Sequence, residues 1–254
     1  MTAALHDLQR RREDEGIAMH EVQLIDVKGL RVRRGSFCLD VPQWRLEPGV
    51  VVGLVGPNGA GKTTMLEVLA GLRRATTGAI SIFGEDPWKS PTIVRASLGF
   101  MSDDMLVFDL RVGPLLRMLS GYYETWDAKL VEELLARFKL DPSMKARELS
   151  KGQGTRLRLV TALAFRPRVL LLDEPASGLD LAGRQSLLSS VLDVVYDPSR
   201  SVVVSSHMLS DVERVADRLL VLNAGKVVRE GRTDSLVGQG RTLEEALVAW
   251  GAAG

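Results

Sequence analysis

Four stretches of the chain, residues 50–55, 169–172, 202–204 and 219–222, carry no polar side chain. Near-continuous apolar strands of this kind, separated by helical segments, imply a mostly parallel sheet covered on both faces. Residues 22–27 and 79–83 read as further strands, the second behind a Thr77-Gly78 turn, and residues 62–72 read as a helix. Between residues 112 and 147 the pattern changes. Leu115, Leu116 and Leu119, then Leu130, Leu134, Leu135 and Phe138, recur at spacings of three and four, which predicts a helical insert spanning about 104–160. Only the last pair of strands, 219–222 and 226–228 around Asn223-Ala224-Gly225, reads as a hairpin. The expected class is α/β, with a small antiparallel β region and a helical subdomain.

Size and charge bound the function. A chain of 254 residues with 45% hydrophobic content can bury a sizeable core. Thirty-three Lys and Arg balance thirty-two Asp and Glu, so nothing favours a nucleic-acid partner. Cys38 is the single cysteine, placed in a strand and read as packing, which excludes an internal disulfide. Residues 1–20 lack the apolar core of a secretion signal and read as a flexible extension; the Arg10-Arg11-Arg12 cluster within it is assigned no function. No run approaches the ~18 apolar residues of a membrane span. A cytoplasmic chain is expected, and any membrane-spanning part would belong to other subunits.

The chemistry starts directly after the apolar run 50–55. Gly56-Pro57-Asn58-Gly59-Ala60-Gly61-Lys62-Thr63 fits G-x-x-x-x-G-K-[ST], follows a strand and opens a helix, which continues through Thr64. Glycines let successive backbone N–H groups point inward, and with the helix N-terminus and the Lys62 ammonium they form a concave site for β- and γ-phosphates. Thr63 would ligate Mg²⁺, a hard ion that prefers oxygen. A glycine-rich turn with a solvated lysine is the bland alternative; strand and helix context favour a nucleoside triphosphate. Hydrolysis needs a second element, and the run 169–172 ends in Asp173-Glu174. Asp173 emerges at the carboxyl end of a buried strand, where parallel sheets place ligands, and can hold Mg²⁺ through water. Glu174 can polarise an attacking water as general base.

What lies between and after these two elements narrows the class. Leu149-Ser150-Lys151-Gly152-Gln153 resembles the signature motif of ATP-binding cassette (ABC) ATPases, Ser177-Gly178-Leu179-Asp180 their D-loop, and Ser205-Ser206-His207 their switch histidine, all in the family's order. The resemblance covers about 21–232. It implies a P-loop NTPase (RecA-like) core in an ATPase domain spanning 21–237, with a short C-terminal helix in 238–254. It also implies ATP and Mg²⁺ as cofactors, with Lys62, Glu174 and His207 catalytic, and Ser150, Gly152, Gln153 and Asp180 contacting nucleotide. Ser150 reads as a helix N-cap, so Ser150 and the Gly152 N–H offer donors at a positive helix end. In the family that end closes over the ATP of a second, head-to-tail subunit, identical or not.

Departures matter as much as matches. Lys151 stands where the family usually has glycine, pointing either to an incoming γ-phosphate or to solvent. Arg34 stands where an aromatic residue usually stacks on adenine; its guanidinium could stack, Phe37 could replace it, or Arg34 could be solvated. Asp103 stands where a glutamine contacts Mg²⁺. The adjacent apolar stretch 104–108 would suit a groove receiving a short helix of a transmembrane permease subunit. Residues 242–250 read as a capped amphipathic helix with Leu243, Ala246, Leu247 and Trp250 on one face, docked on the core or, second, on a partner. The chain looks most like a bacterial exporter-type cassette, peripheral on the inner face of the cell membrane. The alternative is a non-transport ABC ATPase acting on nucleic acid or ribosomes, which would bring a second cassette, a coiled-coil insert or a basic surface.

Overall fold

The computed structural model describes residues 23–102, 109–206, 209–238 and 242–251. The proposed extension 1–20 lies outside them. Among the described residues nine strands make one sheet: β1 (Ile25–Arg34), β2 (Phe37–Leu46), β3 (Val51–Val55), β4 (Thr77–Ile82), β5 (Leu98–Met101), β6 (Val169–Leu172), β7 (Ser201–Ser205), β8 (Arg218–Asn223) and β9 (Lys226–Arg232). Their order is β4-β1-β2-β9-β8-β3-β7-β6-β5. From β8 to β5 neighbouring strands are parallel. Alternate side chains serve opposite faces, as the pleat requires. Leu170 and Leu172 of β6 join one core layer, and Val169 and Leu171 join the other.

One expectation is corrected. The β8–β9 pair is a hairpin, but so is β1–β2, antiparallel in register from Ile25↔Leu46 to Arg34↔Phe37. Both strands alternate buried and exposed residues and one face of each is charged, so neither presents the unbroken apolar run that marks β3 or β6. This antiparallel region is continuous with the parallel part. The link is β2 to β9 at Asp40↔Lys226, with Asp40 N–H donating to Gly225 O at 2.6 Å.

Helices cover both faces. On one, α1 (Lys62–Leu69) buries Met65, Leu66 and Leu69 with Trp44 and Leu54; α2 (Pro91–Arg95) adds Val94. On the other, α3 (Val112–Ser120), α4 (Ala128–Phe138) and α5 (Lys151–Leu163) bury Leu115, Leu134 and Val160 against the Leu170 and Leu172 face. Asp127 caps α4, accepting from Leu130 N–H at 2.9 Å and from Arg166 at 2.6 Å. The amide bond first, and then the guanidinium, hold its carboxyl below the usual range. Beyond β6 come α6 (Leu181–Val195), α7 (Leu209–Val215), α8 (Thr233–Val237) and α9 (Leu243–Ala249). Leu243 and Leu247 of α9 pack with Val55, Val212 and Val221, so this helix docks on its own core. No helix among the described residues is long and apolar enough to cross a membrane.

Candidate functional site

The chain leaves β3 at Gly56, with φ +149, and a Cβ there would lie 2.1 Å from Leu222 O of β8. Only glycine permits that approach. The loop then closes on itself, Ala60 N–H donating to Pro57 O at 3.1 Å, and Gly61 begins α1 without any side-chain cap. The first-turn amides of α1 therefore have no side-chain acceptor, and an anion is the complementary partner for that positive end. Thr63 is exposed in this first turn and Thr64 is buried beneath it.

Lys62 is 7% exposed, and its Nζ donates to Gly56 O at 2.7 Å and Pro57 O at 3.3 Å. Burial pushes its ammonium below the usual 10.5, while the nearby carboxylates of Glu174 and Asp173 pull the other way. The phosphate loop and the acidic pair thus share one electrostatic site.

Asp173, 7% exposed, follows β6 directly, and Leu172 pairs with Val204, so Ser205 at the end of β7 stands beside it. Ser205 Oγ donates to Asp173 Oδ1 at 2.6 Å and accepts from Glu174 N–H at 3.0 Å. One fully buried hydroxyl holds both acidic residues. Glu174 sits at φ +49, a left-handed conformation that costs a non-glycine residue about 1 kcal/mol or more and that surrounding bonds must hold in place. The family resemblance gives Ser205 no role of its own; its signal in the sequence is a hydroxyl at the carboxyl end of an apolar run.

Among the described residues no group of three or more His, Cys, Asp and Glu could hold a metal ion by itself. Thr63 and Asp173 are oxygen donors of the kind Mg²⁺ takes when phosphates and waters complete its shell, so the donor chemistry fits. Asp103, His207 and the apolar stretch 104–108 lie outside the described residues.

The signature stretch starts α5. Ser150 Oγ accepts from Gln153 N–H at 3.3 Å and Gln153 Oε1 accepts from Ser150 N–H at 2.9 Å, a reciprocal cap that leaves the helix start well defined. Lys151 is exposed, and its Nζ donates to Ser177 Oγ at 3.2 Å. A Cβ on Gly152 would lie 3.3 Å from Gly178 O. Asp180 caps α6 through Gly183 N–H at 2.8 Å and pairs with Arg156 at 3.4 Å. Arg34 is exposed at the β1–β2 turn, whereas the Phe37 ring reaches the phosphate loop, its Cζ 2.9 Å from where a Gly61 Cβ would be.

Known proteins match this arrangement. A family model described as ABC transporter matches residues 39–177. The daunorubicin resistance ATP-binding protein DrrA3 of Streptomyces coeruleorubidus is 36% identical over 219 residues, 84% of this chain and 69% of that protein. The Nod factor export ATP-binding protein I of Neorhizobium galegae is 31% identical over 212 residues, 81% of this chain and 61% of that protein. The chain thus spans about three-fifths to two-thirds of these relatives' length. A solved structure titled as the ATP binding subunit of an ABC transporter superposes with a TM-score of 0.82 at 27% identity, covering 90% of this chain and 99% of that one. The chain belongs to the ABC transporter family, as one of its ATP-binding, ATP-hydrolysing subunits.

Proposed function

We propose that this chain hydrolyses Mg-ATP with Glu174 as general base, as one half of a head-to-tail dimer that drives a separate transmembrane subunit for export. The observation that carries the reading is the Ser205 bridge, which fixes Asp173 and Glu174 together at the end of the sheet and within electrostatic reach of Lys62. Uncapped α1 amides and the Lys62 ammonium bind the β- and γ-phosphates, and Phe37 offers a ring beside the loop for adenine. Bound Mg²⁺, held by Thr63 and Asp173, would neutralise charge on the phosphates. Glu174 takes the proton of the attacking water. Ser150 and Gly152 at the positive end of α5, with Asp180, serve the partner's nucleotide. Asp103 as a Mg²⁺ contact and His207 as a catalytic residue keep the roles that the family resemblance implies.

Export is supported by the names of the relatives, which refer to daunorubicin resistance and Nod factor export. A membrane partner is supported by a groove of about 640 Å³ between the α1–α2 side and the helical layer, lined by Leu72, Phe100, Leu115, Leu119, Tyr123 and Phe165. Tyr123 and Phe165 stack at 4.0 Å between centroids, giving it an apolar wall suited to a short helix of the transmembrane subunit.

Glu174→Gln tests the chemistry. ATP affinity should persist while kcat falls about 100-fold or more, and the variant should accumulate as an ATP-bound dimer on size exclusion. Wild-type turnover in that variant would remove Glu174 from its role.

A further inference from the structure

Lys151 is the residue in the signature stretch that the family resemblance does not account for, and its surroundings are specific. Its Nζ donates to Ser177 Oγ at 3.2 Å. Its stem lies over Gly178, where an added Cβ would meet Lys151 Cδ at 2.9 Å, Cε at 3.1 Å and Cγ at 3.2 Å. Gly178 has φ +77, which glycine tolerates and which also leaves room for the stem. Ser177 N–H donates to Glu174 O at 3.0 Å, closing a turn that begins at the left-handed Glu174. One and a half turns further along α5, Arg156 reaches Asp180 at 3.4 Å, so the same helix touches the 174–180 segment at two places.

We infer that Lys151 is a positioning residue, clasping the start of α5 to the Glu174–Ser177 turn of its own chain so that signature and base-bearing turn move as one piece. A glycine at this position has no side chain to reach Ser177 and leaves Gly178 uncovered. The ammonium acts through Ser177: it bonds the hydroxyl on the last residue of the turn, and the turn's own hydrogen bond passes that restraint back to Glu174. Because the signature serves the partner's nucleotide while Glu174 serves its own, the clasp mechanically joins the two composite sites. This rests on the assignment of Glu174 as base and on the head-to-tail arrangement.

A double-mutant cycle on the intact chain, with its membrane partner where that is needed for turnover, tests the clasp. Lys151→Met keeps the stem and removes the ammonium; Ser177→Ala removes the acceptor. Each should lower kcat about fivefold with KM for ATP unchanged, and the double variant should lose about fivefold in total rather than the ~25-fold of independent effects. Lys151→Arg, whose guanidinium can reach the same hydroxyl, should recover most of kcat. Lys151 is exposed and Ser177 half-buried, so melting temperatures should stay within about 2 °C of wild type. Additive losses, a raised KM with unchanged kcat for Lys151→Met, or wild-type turnover in either single variant would overturn the clasp. Glu174→Gln assayed alongside separates the two readings, since the cycle reports the Lys151–Ser177 tie whichever residue is the base.

Discussion

Replacing Ser205 by alanine removes one oxygen atom with two partners, both beside the candidate centre. Asp173, 7% exposed, loses a hydroxyl donor at 2.6 Å, and Glu174 N–H loses an acceptor at 3.0 Å. A hydrogen bond to a charged group contributes about 1.5–3 kcal/mol, and leaving a buried N–H unpaired costs about 1–3 kcal/mol. A water entering the vacated space would recover part of this, so a net loss of about 2–4 kcal/mol is expected. At roughly 2–4 °C per kcal/mol for a chain of this size, the melting temperature should drop by about 5–15 °C. Glu174 is also released from the bond that holds its backbone at φ +49, so kcat should fall together with stability. Calorimetry and ATPase assays on the same preparation measure both. A melting temperature within about 1 °C of wild type would mean that the bridge stabilises nothing, and would refute the argument that it holds the acidic pair.

How far the sequence could be read depended on whether the informative residues were neighbours in the chain. Strand β6 coincides with the apolar run 169–172, and β7 extends the run 202–204 by one residue at each end, because strands buried on both faces announce themselves by composition. Strands β1 and β2 do not, since every second residue faces water and the arginines on the wet face hide the apolar ones. The phosphate loop is legible for the same local reason: its strand, glycines, lysine and helix are consecutive. Ser205 was not, because it meets Asp173 across 32 positions of sequence and only the parallel register brings them together. Lys151 stands out as a departure from the family pattern, yet Ser177 lies 26 positions away and nothing in the spacing aims one at the other. Phe37 and Arg34 are cross-strand partners at the hairpin end, a pairing that does not by itself choose between them. Phe37 turns in over Gly61 while Arg34 stays exposed.

Two further predictions turn on titratable groups. Asp127→Ala removes the α4 cap, worth about 1 kcal/mol, and a partly exposed pair with Arg166 that adds a few tenths at most. A drop in melting temperature of about 2–5 °C is expected near neutrality. Because the folded carboxyl titrates below its ordinary 3.8, its contribution is complete above that value and lost as the pH falls through the lowered one. The gap between variant and wild type should therefore close below about pH 4, and a gap that persists there would assign the loss to packing instead. The second concerns Lys62, whose ammonium burial holds below the usual 10.5 in the free chain. Triphosphate placed against it supplies negative charge and raises that value again, so between the two values ATP binding must take up a proton. Affinity then declines as the pH rises through the lowered value, because a growing fraction of Lys62 must be protonated before it can bind. Calorimetry at a pH between the two values, in buffers of different ionisation enthalpy, counts the proton, and Lys62→Arg, which keeps the cation but does not titrate there, should abolish the uptake. Equal uptake in the arginine variant would show that another group takes the proton, and that the buried ammonium is fully charged before nucleotide arrives.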